Sequence, residues 1–85
     1  MSTDLDPPRA GRLDVAEIYE RYGDQIWRNL HRLGVPSAEL PDAVQEVLLV
    51  VYRRRDSFDS SSRLSTWLYG ITVRVASNQR RKLRR

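Results

Sequence analysis

Carboxylate, amide and apolar side chains recur in the middle of the chain at spacings of three and four residues, which place them on a single face of a helix. This face consists of Asp42, Gln45, Glu46 and Leu49. A face with two carboxylates and an amide beside an apolar residue suits docking onto a basic helix of a partner protein. An ordinary solvated helix face has the same pattern, and the spacing alone does not separate the two interpretations.

Cationic side chains are concentrated at the end of the chain, where they recur every three or four residues with an asparagine among them. The stripe consists of Arg74, Asn78, Arg81 and Arg85, and is broadened by Arg80 and Lys82. Lysine and arginine neutralise nucleic-acid phosphates and release counterions, while asparagine and arginine also read base edges. The pattern favours binding to DNA or RNA over its alternative, a solvated helix end whose charge complements the helix dipole.

A hydroxyl-rich segment followed by aromatic residues comes directly before this stripe. Its members are Asp59, Ser60, Ser61, Ser62 and Arg63, followed by Thr66, Trp67 and Tyr69. Hydroxyls and helix N-termini receive phosphates, and aromatic faces stack on bases that leave a duplex. Trp67 lies four residues before Ile71 and is expected to pack at least partly in the core. Tyr69 lies off the apolar stripe and is the better candidate for nucleic-acid contact.

Groups suited to catalysis or metal binding are scarce in this sequence. There is one histidine, His31, which is far in sequence from the serine cluster, and there is no cysteine. The carboxylates lack metal-ligand spacing with histidine, and no glycine-rich phosphate loop is present. We therefore expect a binding protein with no catalytic residue, no metal and no cofactor.

Length and charge distribution support the same interpretation. The 85 residues suffice for one domain, and the net charge of +4 arises from a basic end and acidic residues that mostly precede Asp59. No run of about 18 apolar residues is present, so no membrane span is predicted. Residues 1–12 are polar and contain prolines, unlike a secretory signal. We expect a cytoplasmic protein.

Helices are predicted to position all of these side chains. Asp14 is a candidate N-cap with Glu17 three residues later, a capping-box arrangement. An apolar stripe at helical spacing follows, formed by Val15, Ile18, Tyr19, Tyr22, Ile26, Leu30 and Leu33. Gly34-Val35-Pro36 then ends the helix. Residues 1–13 are expected to be a disordered lead, and residues 14–85 to be the folded domain.

Two further helices are expected. The second begins between Ser37 and Pro41 and ends near the basic run at residues 53–55. The valine-rich run at residues 47–51 also fits a strand, but its length and charged flanks favour a helix. The third begins near Leu64 or Ser65, and no breaker marks its end. The predicted fold is all-α, with three helices, or four if a short extra turn forms.

Two motifs lie in a fixed order along the chain. The first is Asp42-Ala43-Val44-Gln45-Glu46-Val47-Leu48, and the second is Thr66-Trp67-Leu68-Tyr69-Gly70-Ile71, with Phe58 between them and Arg80-Arg81 after them. Together with their spacing they resemble the second conserved region of sigma factors, and most closely that of the extracytoplasmic-function (ECF) group. The family pattern runs roughly D-x-x-Q-E-x-F/L, a loop, T-W-L-x-x-I-A-x-N and a basic stretch. The resemblance covers about residues 16–85.

This resemblance implies a domain that binds core RNA polymerase and recognises and melts the promoter −10 element. By resemblance, Asp42, Gln45 and Glu46 dock onto the clamp helices of the largest polymerase subunit, and the loop at 59–63 captures a flipped non-template base. Thr66, Trp67 and Tyr69 lie in the stretch associated with strand opening. Arg74, Asn78, Arg80 and Arg81 lie on the helix that faces the −10 DNA. An anti-sigma factor is a further expected partner.

The chain departs from the family pattern at several positions. Arg74 stands where the family usually has asparagine, Gly70 where arginine is frequent, and Asn78 where an acidic residue is common. These changes are expected to alter the preferred −10 sequence and to leave polymerase binding unchanged. The family's helix-turn-helix domain for the −35 element has no counterpart here, so we expect a fragment or a truncated form.

Two other functions fit the same sequence. The chain is a protein-interaction module if it serves as an adaptor or as the target of an anti-sigma factor and makes no DNA contact of its own. It is a general helical nucleic-acid-binding domain if it binds DNA or RNA with a salt-dependent affinity and ignores polymerase.

Overall fold

Residues 13–58 and 63–83 are described by the computed structural model. Their regular secondary structure is entirely helical, with three α-helices and two short 3₁₀ turns. In chain order these are α1 (Val15–Arg32), a turn (Ser37–Glu39), α2 (Leu40–Arg54), a turn (Arg55–Ser57) and α3 (Leu64–Leu83). The predicted all-α fold with three helices is confirmed. Apart from Leu13, the predicted N-terminal lead lies outside the described residues.

The start of α1 is fixed by a side-chain cap. Asp14 Oδ1 accepts hydrogen bonds from the backbone amides of Ala16 and Glu17, at 3.0 and 3.4 Å. The Glu17 carboxylate pairs with Arg21 at 3.3 Å. Leu13 and Ile18, on either side of the cap, are both buried in the core, as in a hydrophobic staple. Leu13, which the sequence assigns to the N-terminal lead, is therefore packed in the core.

Gly34 ends the first helix. Its φ of 102° lies in the left-handed region that favours glycine, and the amides of Leu33 and Gly34 close the last turn on Asn29 and His31. Pro41 occupies the first turn of α2, where its missing N–H leaves no carbonyl without a partner. The end of α1 and the start of α2 therefore lie where the sequence predicts them.

The three helices pack against one another around one apolar core. The largest fully buried side chains are those of Ile26, Leu30, Val35, Val47, Val51 and Thr72. The valine-rich run is therefore helical, since Val47 and Val51 lie one turn apart on the buried face of α2. Tyr19 departs from the predicted apolar stripe of α1: it is 46% exposed, and its ring lies over Gly23.

Among the residues described, no helix combines the length and apolar character needed to cross a bilayer. The longest helix, α3, buries one side and exposes charged side chains on the other.

Candidate functional site

The acidic face of α2 is exposed as its spacing predicts. Asp42, Gln45 and Leu49 are exposed and Glu46 is half-buried, while Val47 and other apolar residues on the opposite side enter the core. Within the described residues, neither Asp42 nor Glu46 forms an ion pair. Both carboxylates therefore keep their charge available for a cationic partner. We call Asp42, Gln45, Glu46 and Leu49 the acidic face.

Tyr52 extends this face by one turn and is absent from the sequence-based site. It follows Leu49 by three residues and Gln45 by seven, so it shares their side of the helix. Its side chain is 54% exposed, and the Arg55 guanidinium carbon lies 4.0 Å from the centre of its ring. The signal that identifies Tyr52 in the sequence is its helical spacing of three residues from Leu49.

One residue of the acidic face contacts α3. Asp42 Oδ2 accepts a hydrogen bond from Gln79 Nε2 at 3.4 Å, across 37 positions of sequence. Gln79 is only 4% exposed and also lines a cleft with Glu46. No sequence pattern identifies this contact, because it depends on how α2 and α3 cross.

The cationic stripe of α3 is also open to solvent. Arg74, Asn78, Arg81 and Lys82 are all exposed, and no ion pair engages them within the described part of the chain. We call these four residues the cationic stripe; Arg85 lies outside the described residues. Their charge is free to meet phosphate.

A groove between α2 and α3 runs beside the cationic stripe. Arg74, Asn78, Trp67 and Gly70 line it from α3, and Glu46 and Arg54 line it from α2. A Cβ atom added at Gly70 would have no neighbour within 4 Å, so the glycine leaves the groove open at this point. Glu46 therefore belongs to the acidic face and also borders the cationic groove.

Arg80 lies apart from the cationic stripe, although the sequence groups them together. Its Nη1 donates to the carbonyl of Leu33 at 3.5 Å, and a Cβ atom added at Gly34 would lie 3.1 Å from its Cδ. The guanidinium thus lies at the C-terminal end of α1, where a positive charge is favourable. Arg80 follows Arg74 by six residues. At 3.6 residues per turn, this spacing places the Arg80 side chain on a different side of α3 from the cationic stripe.

The hydroxyl-rich segment is described only in part. Asp59, Ser60, Ser61 and Ser62 lie outside the described residues, while Arg63, Thr66 and Tyr69 are exposed. Trp67 is half-buried and packs on Phe58, in agreement with its predicted place beside the core.

Tyr69 lies on a different side of α3 from Trp67. It lines a polar cleft with Ser65 and Thr66 of α3 and with Gln25, Asn29 and Arg32 of α1. Asn29 Oδ1 accepts a hydrogen bond from Arg32 Nη2 at 2.8 Å. The three α1 residues are not among the sequence-predicted site, because only the packing of α1 against α3 brings them to the cleft. The structure thus separates the aromatic candidates into two places.

The described residues contain no candidate metal site. Over the ranges 13–58 and 63–83, no cluster of histidine, aspartate and glutamate side chains is arranged to hold a metal ion. The clefts are lined by mixed polar and apolar side chains.

Known proteins share both the sequence pattern and the fold. The family model described as Sigma-70 region 2 matches residues 18–85. The ECF RNA polymerase sigma-E factor of Escherichia coli (strain K12) is 50% identical over 44 residues, which are 52% of this chain and 23% of that protein. The ECF RNA polymerase sigma factor SigW of Bacillus subtilis (strain 168) is 34% identical over 67 residues, which are 79% of this chain and 36% of that protein.

A solved structure agrees with these relatives. The NMR structure of an engineered region 2 of sigmaE in complex with GTAAAA superposes with a TM-score of 0.68 at 41% identity, covering 74% of this chain and 65% of that chain. The matched stretches span about a quarter to a third of the curated relatives' own length. The resemblance to ECF sigma factors is thereby confirmed, as is the expectation of a protein that is not an enzyme. This chain belongs to the sigma-70 region 2 family.

Proposed function

We propose that this chain binds core RNA polymerase through the acidic face and recognises and melts the promoter −10 element through α3 and the segment before it. One observation carries the proposal: the acidic face and the cationic stripe are both accessible and both free of internal ion pairs within the described residues. The function takes place in the cytoplasm, where bacterial polymerase and promoter DNA are found.

Polymerase docking combines charged contacts with apolar contacts. The carboxylates of Asp42 and Glu46 meet arginines of the polymerase clamp helices, as the family resemblance implies. Leu49, 43% exposed, and Tyr52 supply apolar area beside them. Charge complementarity of this kind speeds encounter and fixes orientation, while the buried apolar contact slows dissociation.

Promoter binding begins with phosphate contacts. Arg74, Arg81 and Lys82 neutralise phosphates along one side of α3, and each contact releases counterions. Asn78 lies on the same exposed side and hydrogen-bonds to a base edge. Trp67 lines the adjoining groove with part of its ring accessible, where it covers the edge of the last closed base pair.

Melting follows from capture of an unpaired base. Unstacking a base costs on the order of a few kcal/mol, so a site that binds only the extruded base shifts the duplex toward the open state. The segment at residues 59–63 and Tyr69 provide this site. Arg74 and Gly70, where the family pattern has other residues, give this chain a −10 preference of its own.

A forked −10 probe tests the whole proposal. A photo-crosslinking residue in place of Tyr69 should label the non-template strand only when core polymerase is present. The same substitution at Tyr19, which is 46% exposed on α1 against 41% for Tyr69, is the control and should label no DNA. Polymerase binding without labelling would identify an adaptor. Labelling that ignores polymerase would identify a general nucleic-acid-binding domain.

An anti-sigma factor is a further partner within this proposal. Such a protein would cover the acidic face and compete directly with polymerase. The competition is measured as displacement of the chain from polymerase by the anti-sigma factor. If that factor covers the acidic face, it should act differently on the wild-type and Asp42→Ala chains.

A further inference from the structure

Gln79 is a buried polar residue, and packing of the core alone does not explain why its side chain is polar. The other buried polar side chain of the described residues, Thr72, donates its hydroxyl to the Leu68 carbonyl of its own helix at 2.9 Å. Gln79 instead donates to Asp42 on α2 at 3.4 Å. Burial of an amide is unfavourable unless it is hydrogen-bonded, and an apolar side chain of similar length would fill the same place without that cost.

The hydrogen bond is long and its acceptor is exposed, so it adds little to stability. Its donor is buried and therefore fixed in place, so the bond favours one orientation of the Asp42 side chain. One carboxylate oxygen is held by the amide, and the second oxygen remains available to a cation outside the molecule. Gln79 also lines the cleft that contains Glu46, the other carboxylate of the acidic face.

We infer that Gln79 is a positioning residue for polymerase binding, which holds the Asp42 carboxylate in the orientation that receives a cationic side chain of the partner. The inference rests on the proposed polymerase-binding role of the acidic face. Ordering a side chain before binding removes an entropic cost that would otherwise be incurred on association. Gln79 itself contacts no partner, because it is 4% exposed.

Four proteins separate this role from a structural one: the wild type, Gln79→Met, Asp42→Ala and the double variant. Binding of each to purified core RNA polymerase is measured by fluorescence anisotropy, together with the thermal midpoint of each free chain. Methionine keeps the length of glutamine and loses the amide, so the midpoint should stay the same or rise. Affinity should nevertheless fall, by about two- to fivefold.

The double variant provides the decisive comparison. If Gln79 acts through Asp42, adding Gln79→Met to Asp42→Ala produces no further loss of affinity. Equal losses in both backgrounds, or no loss in the wild-type background, would overturn the positioning role and leave the polymerase-binding proposal intact. Unchanged affinity in Asp42→Ala would overturn both. Gln79→Leu repeats the test with a second apolar side chain, should the methionine variant alter the fold.

Discussion

The rings of Phe58 and Trp67 pack with their centroids 5.1 Å apart, at an angle of 54°. Phe58 follows the turn after α2 and is buried, and Trp67 lies in the first turns of α3. The contact therefore packs Phe58, the last described residue before position 59, against the N-terminal part of α3.

Loss of the Phe58 ring should destabilise the domain strongly. Phe58→Ala removes a buried ring and its aromatic partner contact, which together lower the free energy of unfolding by about 3 kcal/mol. Urea denaturation followed by circular dichroism measures the loss. Phe58→Leu keeps most of the apolar volume and should lose clearly less. A loss below about 1 kcal/mol for the alanine variant would show that the ring pair is not part of the core.

Arg80 and Arg81 are neighbours in sequence that should differ in DNA binding. Arg81→Ala removes a phosphate contact, so the slope of log affinity against log salt becomes shallower by about one. Arg80→Ala should leave the slope unchanged, since its guanidinium lies at the Leu33 carbonyl. Salt titrations of both variants on a forked −10 probe with polymerase provide the measurement. Equal changes of slope would place Arg80 on the DNA as well.

Substitutions at Gly70 should test whether the groove beside the cationic stripe is open at this position. Gly70→Ala fills open space within a helix, so the free energy of unfolding should rise by about 0.5–1 kcal/mol. Gly70→Arg adds a cation next to Arg74, and DNA affinity should rise with a salt slope steeper by about one. A destabilised alanine variant, as judged from thermal unfolding, would mean that the glycine meets a neighbour and does not border an open groove.

The sequence was sufficient to predict the elements, because their signals are local. The Asp14 cap, the Gly34 stop and the helical spacing of Val47 and Val51 each depend on residues within two turns of one another. The exposure of Asp42 on α2 follows from the same spacing.

The sequence was insufficient for contacts that depend on how two helices cross. The Asp42–Gln79 contact, the turn of Arg80 toward α1 and the cleft that Tyr69 shares with Arg32 all join residues far apart in the chain. Tyr19 deviates for a related reason: its spacing predicts burial, but the small Gly23 lets its ring lie along α1 and remain exposed.

Affinity for core RNA polymerase after removal of Asp42 and Glu46 tests the central claim most directly. Asp42→Ala with Glu46→Ala should weaken binding by about tenfold or more, because two charges facing a cationic partner are lost. The matched control is Glu20→Ala with Asp24→Ala, which removes two exposed carboxylates of α1 and should bind as the wild type does. Circular dichroism should show both variants folded. Wild-type affinity in the Asp42 and Glu46 variant would contradict the account.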